Sequence, residues 1–167
     1  MLNLKTLAVV AALLLTSFAQ ASILLGRVVG VSDGDTITFL DADNTQFKIR
    51  LVGIDSPEKR QAFGQRAKEA LSDLIYDKQV SVEHFKTDRY KRILGKIRVG
   101  QTDINLSMIR QGFAWHYKKY QNDQPIDDRI AYIRAEEEAR ALKRGLWRDE
   151  SPVPPWEFRH PTADSSK

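Results

Sequence analysis

The sequence contains no cysteine and only three histidines. Without cysteine, the chain has no disulfide framework and no thiolate ligands for a structural zinc ion. His84, His116 and His160 are too far apart along the chain to form a zinc-binding motif. The acidic residues also lack the spacing of an EF-hand calcium loop. These absences exclude disulfide-rich, zinc-finger and EF-hand proteins.

Positive charge is scarce for a protein that binds nucleic acid. The 26 lysines and arginines exceed the 22 acidic residues by a net charge of +4, or +3 without Lys5. Such a mild excess does not by itself indicate a nuclease. Hydrophobic residues make up 42% of the chain, which is enough for one domain with a buried core.

Long hydrophobic runs are confined to the N-terminus. Lys5 precedes a mostly apolar stretch at residues 7–18, and a small-x-small cleavage pattern follows at 19–21. The stretch is shorter than the roughly 20 residues that span a bilayer. It predicts a signal peptide over residues 1–21 and an exported protein, periplasmic or extracellular, without stable membrane association. The alternative is an uncleaved signal anchor.

Hydrophobic periodicity predicts one domain over residues 22–150. Alternating and β-branched segments predict five strands, at residues 23–31, 35–40, 45–54, 79–85 and 93–99. Apolar residues at helical spacing predict helices at residues 64–76, 105–111 and 127–143. Residues 151–167 form a proline-containing tail, which we expect to lie on the domain as far as Trp156 and to be disordered beyond it.

Residues around position 55 combine the chemistry that metal-assisted cleavage of a phosphodiester needs. Asp35 and Asp55 can hold a hard cation, because carboxylate oxygens are its preferred ligands. Glu58 can position or deprotonate a water molecule. Arg50 and Arg92 can each bind a phosphate through a planar fork of donors.

Each of these fragments also has a structural explanation. Asp33-Gly34 is a common hairpin turn. Ser56-Pro57-Glu58 is also an ordinary helix start, with an N-cap, a proline and an acid in the first turn. Arg50 could form a structural ion pair with Glu58 or Asp55.

Three motifs in this order resemble the staphylococcal (micrococcal) nuclease family. They are Asp-Gly-Asp-Thr at 33–36, Arg-Leu-Val-Gly-Ile-Asp-Ser-Pro-Glu at 50–58 and Asp-Arg-Tyr-Lys-Arg at 88–92. The resemblance runs from about Gly26 to Trp147 and includes Asn105, Arg-Gln-Gly-Phe-Ala at 110–114 and Gly-Leu-Trp at 145–147. Lys91 departs from the pattern, because the family usually has glycine there. If that glycine has a positive φ, Lys91 is strained or the loop takes another path.

The resemblance implies a fold and a reaction. The fold is α+β and mainly β: a five-stranded OB-fold Greek-key barrel with about three helices. The reaction is hydrolysis of DNA and RNA, single- or double-stranded, that leaves 3′-phosphate and 5′-hydroxyl ends. Sequence preference is expected to be slight, because phosphate contacts carry no base information. The protein is expected to be a monomer.

The resemblance also assigns roles to individual residues. One Ca²⁺ is expected on Asp35, Asp55 and the backbone carbonyl of Ser56, with water and a substrate phosphate supplying the other ligands. The remaining predicted residues divide into a catalytic set and a substrate-binding set. The catalytic residues are Arg50, Glu58 and Arg92, and the substrate-binding residues are Tyr90, Tyr120 and Arg89. The alternatives are a packing role for Tyr120 and a surface-cation role for Arg89.

Two other classes of protein compete with this interpretation. One is a non-catalytic OB-fold module that only binds nucleic acid, which would be favoured if Asp35, Arg50 or Glu58 were missing. The other is a secreted calcium-binding or interaction domain, which has no use for paired arginines. All three diagnostic residues are present, so the sequence favours the nuclease.

Overall fold

A computed structural model describes residues 22–160 of the chain. The predicted signal peptide, residues 1–21, lies outside the described residues, as do residues 161–167. Within the described part, no helix is long and apolar enough to cross a membrane.

Five strands form a closed mixed β-barrel. They are β1 (Ser22–Val31), β2 (Thr36–Asp41), β3 (Gln46–Leu51), β5 (Gln79–Thr87) and β6 (Ile93–Val99). Neighbours in the order β3-β2-β1-β5-β6 pair antiparallel, and a parallel pairing of β3 with β6 closes the barrel. This confirms the predicted five-stranded OB-fold and its α+β class.

One predicted strand is interrupted. The sequence predicted a strand over residues 45–54, but β3 ends at Leu51 and a separate strand, β4, covers Ile54–Asp55. Gly53 has a φ of 75°, which turns the chain where a side chain would be strained. β4 pairs with β8 (Trp115–His116) outside the barrel sheet. The break therefore removes Asp55 from the barrel wall and places it opposite Trp115.

Four α-helices and several short elements complete the described fold. The helices are α1 (Gly64–Ile75), α2 (Ile104–Arg110), α3 (Ile126–Ala141) and α4 (Pro155–Phe158). A two-residue strand, β7 (Thr102–Asp103), extends the sheet beside β6, and 3₁₀ turns cover Lys118–Asp123 and Gly145–Arg148. The three predicted helices are confirmed to within two residues at each end. The tail is ordered further than expected, because α4 continues past Trp156.

The main core fills the barrel and the space beneath α1 and α2. Alternate residues of the strands point inward, and α1 contributes the apolar face that its sequence periodicity predicted. The fully buried members include Val28, Ile37, Phe39, Ile49, Val82, Ile97, Ala67, Leu71, Ile75, Met108 and Ile109. This core holds β2 and β3 in fixed register, so the chain segments that leave their ends are well positioned.

A second, aromatic cluster lies beside β8. Trp115, Trp147, Leu146 and Ala139 are buried there, and Phe63 and Trp156 pack against them. The Arg140 guanidinium lies over the Trp147 ring at 4.1 Å, a cation–π contact. Because Trp115 pairs with Asp55 across β4 and β8, this cluster places the tail next to the segment that carries the predicted site.

Candidate active site

Asp35 stands in the turn between β1 and β2. Its Oδ2 accepts a hydrogen bond from the backbone N–H of Ser56 at 2.8 Å, and the Ser56 hydroxyl donates to the Gly34 carbonyl at 2.9 Å. A Cβ at position 34 would lie 2.7 Å from both Ser56 Cβ and Ala67 Cβ. Glycine is therefore required at position 34 for the two loops to approach this closely.

Arg50 joins the two predicted metal-binding carboxylates. Its Nη1 lies 2.9 Å from Asp35 Oδ2, and its Nη2 lies 2.9 Å from Asp55 Oδ1. Nη1 also donates to the carbonyls of Leu51 and Ile54. The predicted alternative of an ion pair with Asp55 is therefore present in the structure, whereas Arg50 makes no ion pair with Glu58 within residues 22–160. The Nε–H and the second Nη2–H have no partner in that range, so one edge of the fork is left for a phosphate.

The environment of Asp35 favours a bound cation. Burial raises the pKa of Asp35 to about 7, against the opposing effect of the Arg50 guanidinium, and Asp33 and Asp55 raise it further. Asp55 is completely buried. Two carboxylates held this close in a buried place repel each other when both are ionised, and a cation between them relieves that repulsion.

The donor set fits a hard, oxygen-preferring cation. Asp35 and Asp55 supply carboxylate oxygens, and the Ser56 carbonyl accepts no hydrogen bond from the described residues. Among residues 22–160, no group of three or more acidic, histidine or cysteine side chains could hold a metal. Two carboxylates and a carbonyl leave most positions of a six- to eight-coordinate calcium ion to water and substrate.

Glu58 lies in the loop after β4, not at a helix start. The helix α1 begins at Gly64, six residues later, so the helix-start interpretation of Ser56-Pro57-Glu58 is wrong. The Glu58 N–H donates to Gln61 Oε1 at 3.0 Å, and its carbonyl accepts from the Gln61 N–H. A Cβ at Gly64 would lie 1.9 Å from the Glu58 carbonyl. The close packing of Gly64 fixes the backbone of Glu58 and leaves its side chain, which is 37% exposed, beside Asp55.

Arg159 enters the same carboxylate cluster from the tail. Its Nη2 lies 2.6 Å from Asp55 Oδ2, and its Nη1 lies 2.6 Å from Glu58 Oε1 and 3.2 Å from Asp55 Oδ1. Sequence reasoning missed this residue, because nothing in the spacing of the tail connects position 159 to position 55. The nearest signal was the expectation that the tail lies on the domain as far as Trp156, three residues before Arg159.

The loop that carries Arg92 has the conformation that the family's glycine would favour. Lys91 has a φ of 62°, a conformation that is strained for lysine. Of the two predicted alternatives, a strained Lys91 or a different loop path, the structure shows the first. Asp88 holds the loop by accepting from the backbone N–H groups of Tyr90 and Arg92. Although burial acts in the opposite direction, these bonds and the Arg92 side chain lower the pKa of Asp88.

Arg92 lies near the site by register, but its side chain is paired elsewhere. Leu94 of β6 stands opposite Arg50 of β3, so β6 begins at the edge that carries the site. The Arg92 guanidinium contacts Asp88 Oδ2 at 2.8 Å. Within residues 22–160 it makes no ion pair with Asp35, Asp55 or Glu58. The catalytic role of Arg92 stays a prediction.

The predicted substrate-binding residues lie on exposed surface. Tyr90 is 64% exposed, and the Arg89 guanidinium lies over its ring in a cation–π contact, 4.9 Å from the ring centre. Tyr120 is 52% exposed and meets the ring of Tyr117 edge to face at 5.4 Å. Their exposure suits contact with a base or sugar. Tyr117 also stacks on Trp156, a contact that the sequence did not predict.

Asn105 supports the site from behind. Its side-chain amide donates to the carbonyls of Val52 and Gly95, and its Oδ1 accepts from the Ile97 N–H. These three bonds join α2 to β6 and to the turn before β4. A buried amide that is satisfied in this way stabilises the position of the chain that leads to Asp55.

The class of protein that the fold defines is a small closed β-barrel of the OB type, here with carboxylates and an arginine at one edge. The family model for staphylococcal nuclease homologues matches residues 48–149. The chain belongs to the staphylococcal nuclease family, which confirms the resemblance seen in the sequence. Nucleic-acid hydrolysis by an endonuclease is the activity that this membership supports.

Several curated proteins are similar over most of this chain. An uncharacterized endonuclease of Haemophilus influenzae is 47% identical over 80% of this chain and 71% of its own length. An uncharacterized endonuclease of Escherichia coli is 43% identical over 81% of this chain and 84% of its own length. A micrococcal nuclease of Shigella flexneri is 37% identical over 84% of this chain and 83% of its own length.

Proposed function

We propose that this protein is a calcium-dependent phosphodiesterase that hydrolyses DNA and RNA with little sequence preference. The observation that carries the proposal is the pair of buried carboxylates, Asp35 and Asp55, bridged by the Arg50 guanidinium, whose outer edge has no partner in the described part of the chain. This arrangement suits a divalent cation and a phosphate side by side. The products would carry 3′-phosphate and 5′-hydroxyl ends.

The side chains have separate tasks in the proposed reaction. Glu58 orients the attacking water and accepts its proton, because its carboxylate is the exposed one of the three. The free edge of Arg50 binds an oxygen of the scissile phosphate and stabilises the negative charge that grows there during attack. A calcium ion on Asp35, Asp55 and the Ser56 carbonyl would neutralise phosphate charge when bound. Arg92 would add a second guanidinium to the phosphate.

Supercoiled plasmid DNA tests the proposal. With calcium the purified protein should nick and linearise the plasmid, and excess chelator should abolish this activity. End-labelling should then find 5′-hydroxyl ends, which accept a phosphate from a polynucleotide kinase without prior phosphatase treatment. Binding of the plasmid without cleavage would instead identify a non-catalytic OB-fold module, and cleavage in excess chelator would remove the calcium requirement.

The strained Lys91 permits a test of the loop that carries Arg92. Lys91 is exposed and has a φ of 62°, so Lys91→Gly should raise the free energy of unfolding by about 0.5–1 kcal/mol. Activity should be equal to wild type or higher, because the loop path is unchanged. Urea denaturation measures the first effect, and plasmid cleavage measures the second.

A matched control is available in the turn between β2 and β3. Asn44 has a φ of 60°, but asparagine tolerates the left-handed region far better than lysine does. Asn44→Gly should therefore give a smaller gain in stability than Lys91→Gly. A lower stability in Lys91→Gly than in wild type would contradict the strain assigned to Lys91.

A further inference from the structure

We propose that residues 152–159 form a C-terminal strap that closes the active site and must leave before calcium and nucleic acid bind. Arg159 takes the place of a cation on Asp55, and Trp156 covers the ring of Tyr117. The inference rests on the proposed function, because it assigns calcium to Asp55. Its consequence is a nuclease whose own tail competes with its metal ion and its substrate.

Arg159 and a calcium ion compete for the carboxylate of Asp55. The Arg159 guanidinium contacts both Asp55 oxygens, and Arg50 already holds Oδ1. A calcium ion would have to lie about 2.3–2.6 Å from a carboxylate oxygen. That distance is the same as the 2.6 Å between Arg159 Nη2 and Asp55 Oδ2. A calcium ion on this oxygen would therefore lie as close to the carboxylate as Arg159 does, and the two like charges would repel each other.

Arg159 also engages the proposed general base. Its Nη1 contacts Glu58 Oε1 at 2.6 Å, a charge-assisted hydrogen bond. A carboxylate with its oxygen committed to a guanidinium is a poorer acceptor for the proton of a water molecule. One side chain of the strap therefore blocks both the cation position and the base.

Side-chain packing anchors the strap, and the short helix α4 positions Arg159 relative to that anchor. Pro155 is buried, and the Trp156 ring stacks on Tyr117 at 5.6 Å and meets Trp115 edge to face at 5.6 Å. The Arg159 N–H donates to the Pro155 carbonyl, so the turn of α4 fixes the distance from this anchor to Arg159. Upstream, the Gln61 amide donates to the Val153 carbonyl. The anchor rests on the packing of two side chains, Pro155 and Trp156, which suits a segment that can detach.

The same anchor occupies the aromatic surface that a base would use. Tyr117 meets the exposed ring of Tyr120 edge to face and stacks on Trp156. A nucleobase that stacks on the covered face of Tyr117 has to displace Trp156. Release of the strap therefore frees Asp55, Glu58 and the Tyr117 ring together, and calcium binding and substrate binding favour the same open state.

Calcium binding without nucleic acid tests the strap, with titration calorimetry on the chain that includes the whole tail. Arg159→Gln should bind calcium about tenfold more tightly than wild type if the strap is open in about one wild-type molecule in ten, because the apparent dissociation constant is the intrinsic one divided by the open fraction. Arg134→Gln is the matched control, since Arg134 is exposed and makes no ion pair within residues 22–160. It removes the same charge and should leave the affinity unchanged.

A second variant separates release of the strap from simple loss of charge. Trp156→Ala removes the anchor and leaves every charge in place, so it should also tighten calcium binding. Calcium should change the tryptophan fluorescence of the wild type as Trp156 leaves Tyr117, with the midpoint found by calorimetry. Thermal unfolding confirms that each variant is folded.

The outcomes divide clearly. Tighter binding in both Arg159→Gln and Trp156→Ala supports the strap. Tighter binding in Arg159→Gln alone would show a purely electrostatic effect and overturn it, as would weaker or unchanged affinity in both variants. Another outcome is that wild type and both variants bind no calcium and yet cleave plasmid with another divalent cation. That result would remove calcium from the proposed function, and with it the proposed competition between Arg159 and calcium.

Discussion

Asp35→Asn is expected to lower the turnover of plasmid DNA by about 10²–10⁴-fold while the barrel stays folded. Among residues 22–160, Arg50 forms ion pairs with Asp35 and Asp55 alone, so the amide removes one of the two carboxylates of the proposed cation site. Metal ions supply several kcal/mol of transition-state stabilisation, and each 1.36 kcal/mol is about tenfold in rate. Initial rates of plasmid cleavage at saturating calcium measure the loss.

A matched control uses the same substitution at the far end of β2. Asp43 is exposed in the turn between β2 and β3, and Asp43→Asn should retain activity within about twofold, because surface charges are screened. Turnover by Asp35→Asn within a few-fold of wild type would remove Asp35 from the cation site.

The raised pKa of Asp35 adds a pH-dependent stability effect in the same variant. The folded pKa is about 7, above the unfolded value near 3.8, so folding favours the protonated carboxyl. Its stabilising contribution is present below the unfolded pKa and is lost as pH rises through 7. In excess chelator, the melting temperature of Asp35→Asn should therefore rise relative to that of wild type from about pH 4 to pH 7, and it should be the higher of the two at pH 8. Equal melting temperatures at pH 8 would contradict the raised pKa.

Arg50→Lys is expected to lower kcat by about 10²–10³-fold, the cost of losing one donor to a developing negative charge. Lysine keeps the positive charge between Asp35 and Asp55 but cannot hold both carboxylates and also present a planar edge to a phosphate. The effect should fall mainly on kcat, since the interaction strengthens as charge grows on the phosphate. Single-turnover cleavage of a labelled oligonucleotide separates this step from binding.

The control for Arg50 is another arginine that pairs with an aspartate away from the site. Arg27 of β1 lies 2.7 Å from Asp77 and both side chains are largely exposed, so Arg27→Lys should change neither kcat nor binding.

Arg92→Lys is the informative comparison, because the Arg92 guanidinium is paired with Asp88 and not with the carboxylate cluster. A loss of kcat in Arg92→Lys similar to that of Arg50→Lys would show that Arg92 turns from Asp88 to the phosphate. An Arg50→Lys enzyme with normal kcat would remove Arg50 from the chemistry.

The family and the fold were determined by the sequence alone. Five strands and three helices follow from local periodicity, and the barrel core at Ile37, Phe39 and Ile49 is the inward face of two alternating segments. The motifs at 33–36 and 50–58 are each contiguous in sequence. Any fold that places these two segments side by side therefore brings Asp35, Arg50, Asp55 and Glu58 into one region. The roles of Asp35, Arg50 and Glu58 as site residues stay predictions.

Other features were decided only by the tertiary structure, because they depend on contacts between segments that are distant in sequence. The break of the third predicted strand at Gly53 places Asp55 opposite Trp115, a partner 60 residues away. Whether Ser56-Pro57-Glu58 starts a helix was settled by the packing of Gly64 against the Glu58 carbonyl. Arg159 reaches Asp55 across 104 residues, since the aromatic cluster around Trp156 turns the tail back over the site. Periodicity and spacing describe neighbours along the chain, and long-range contacts of this kind leave no such pattern.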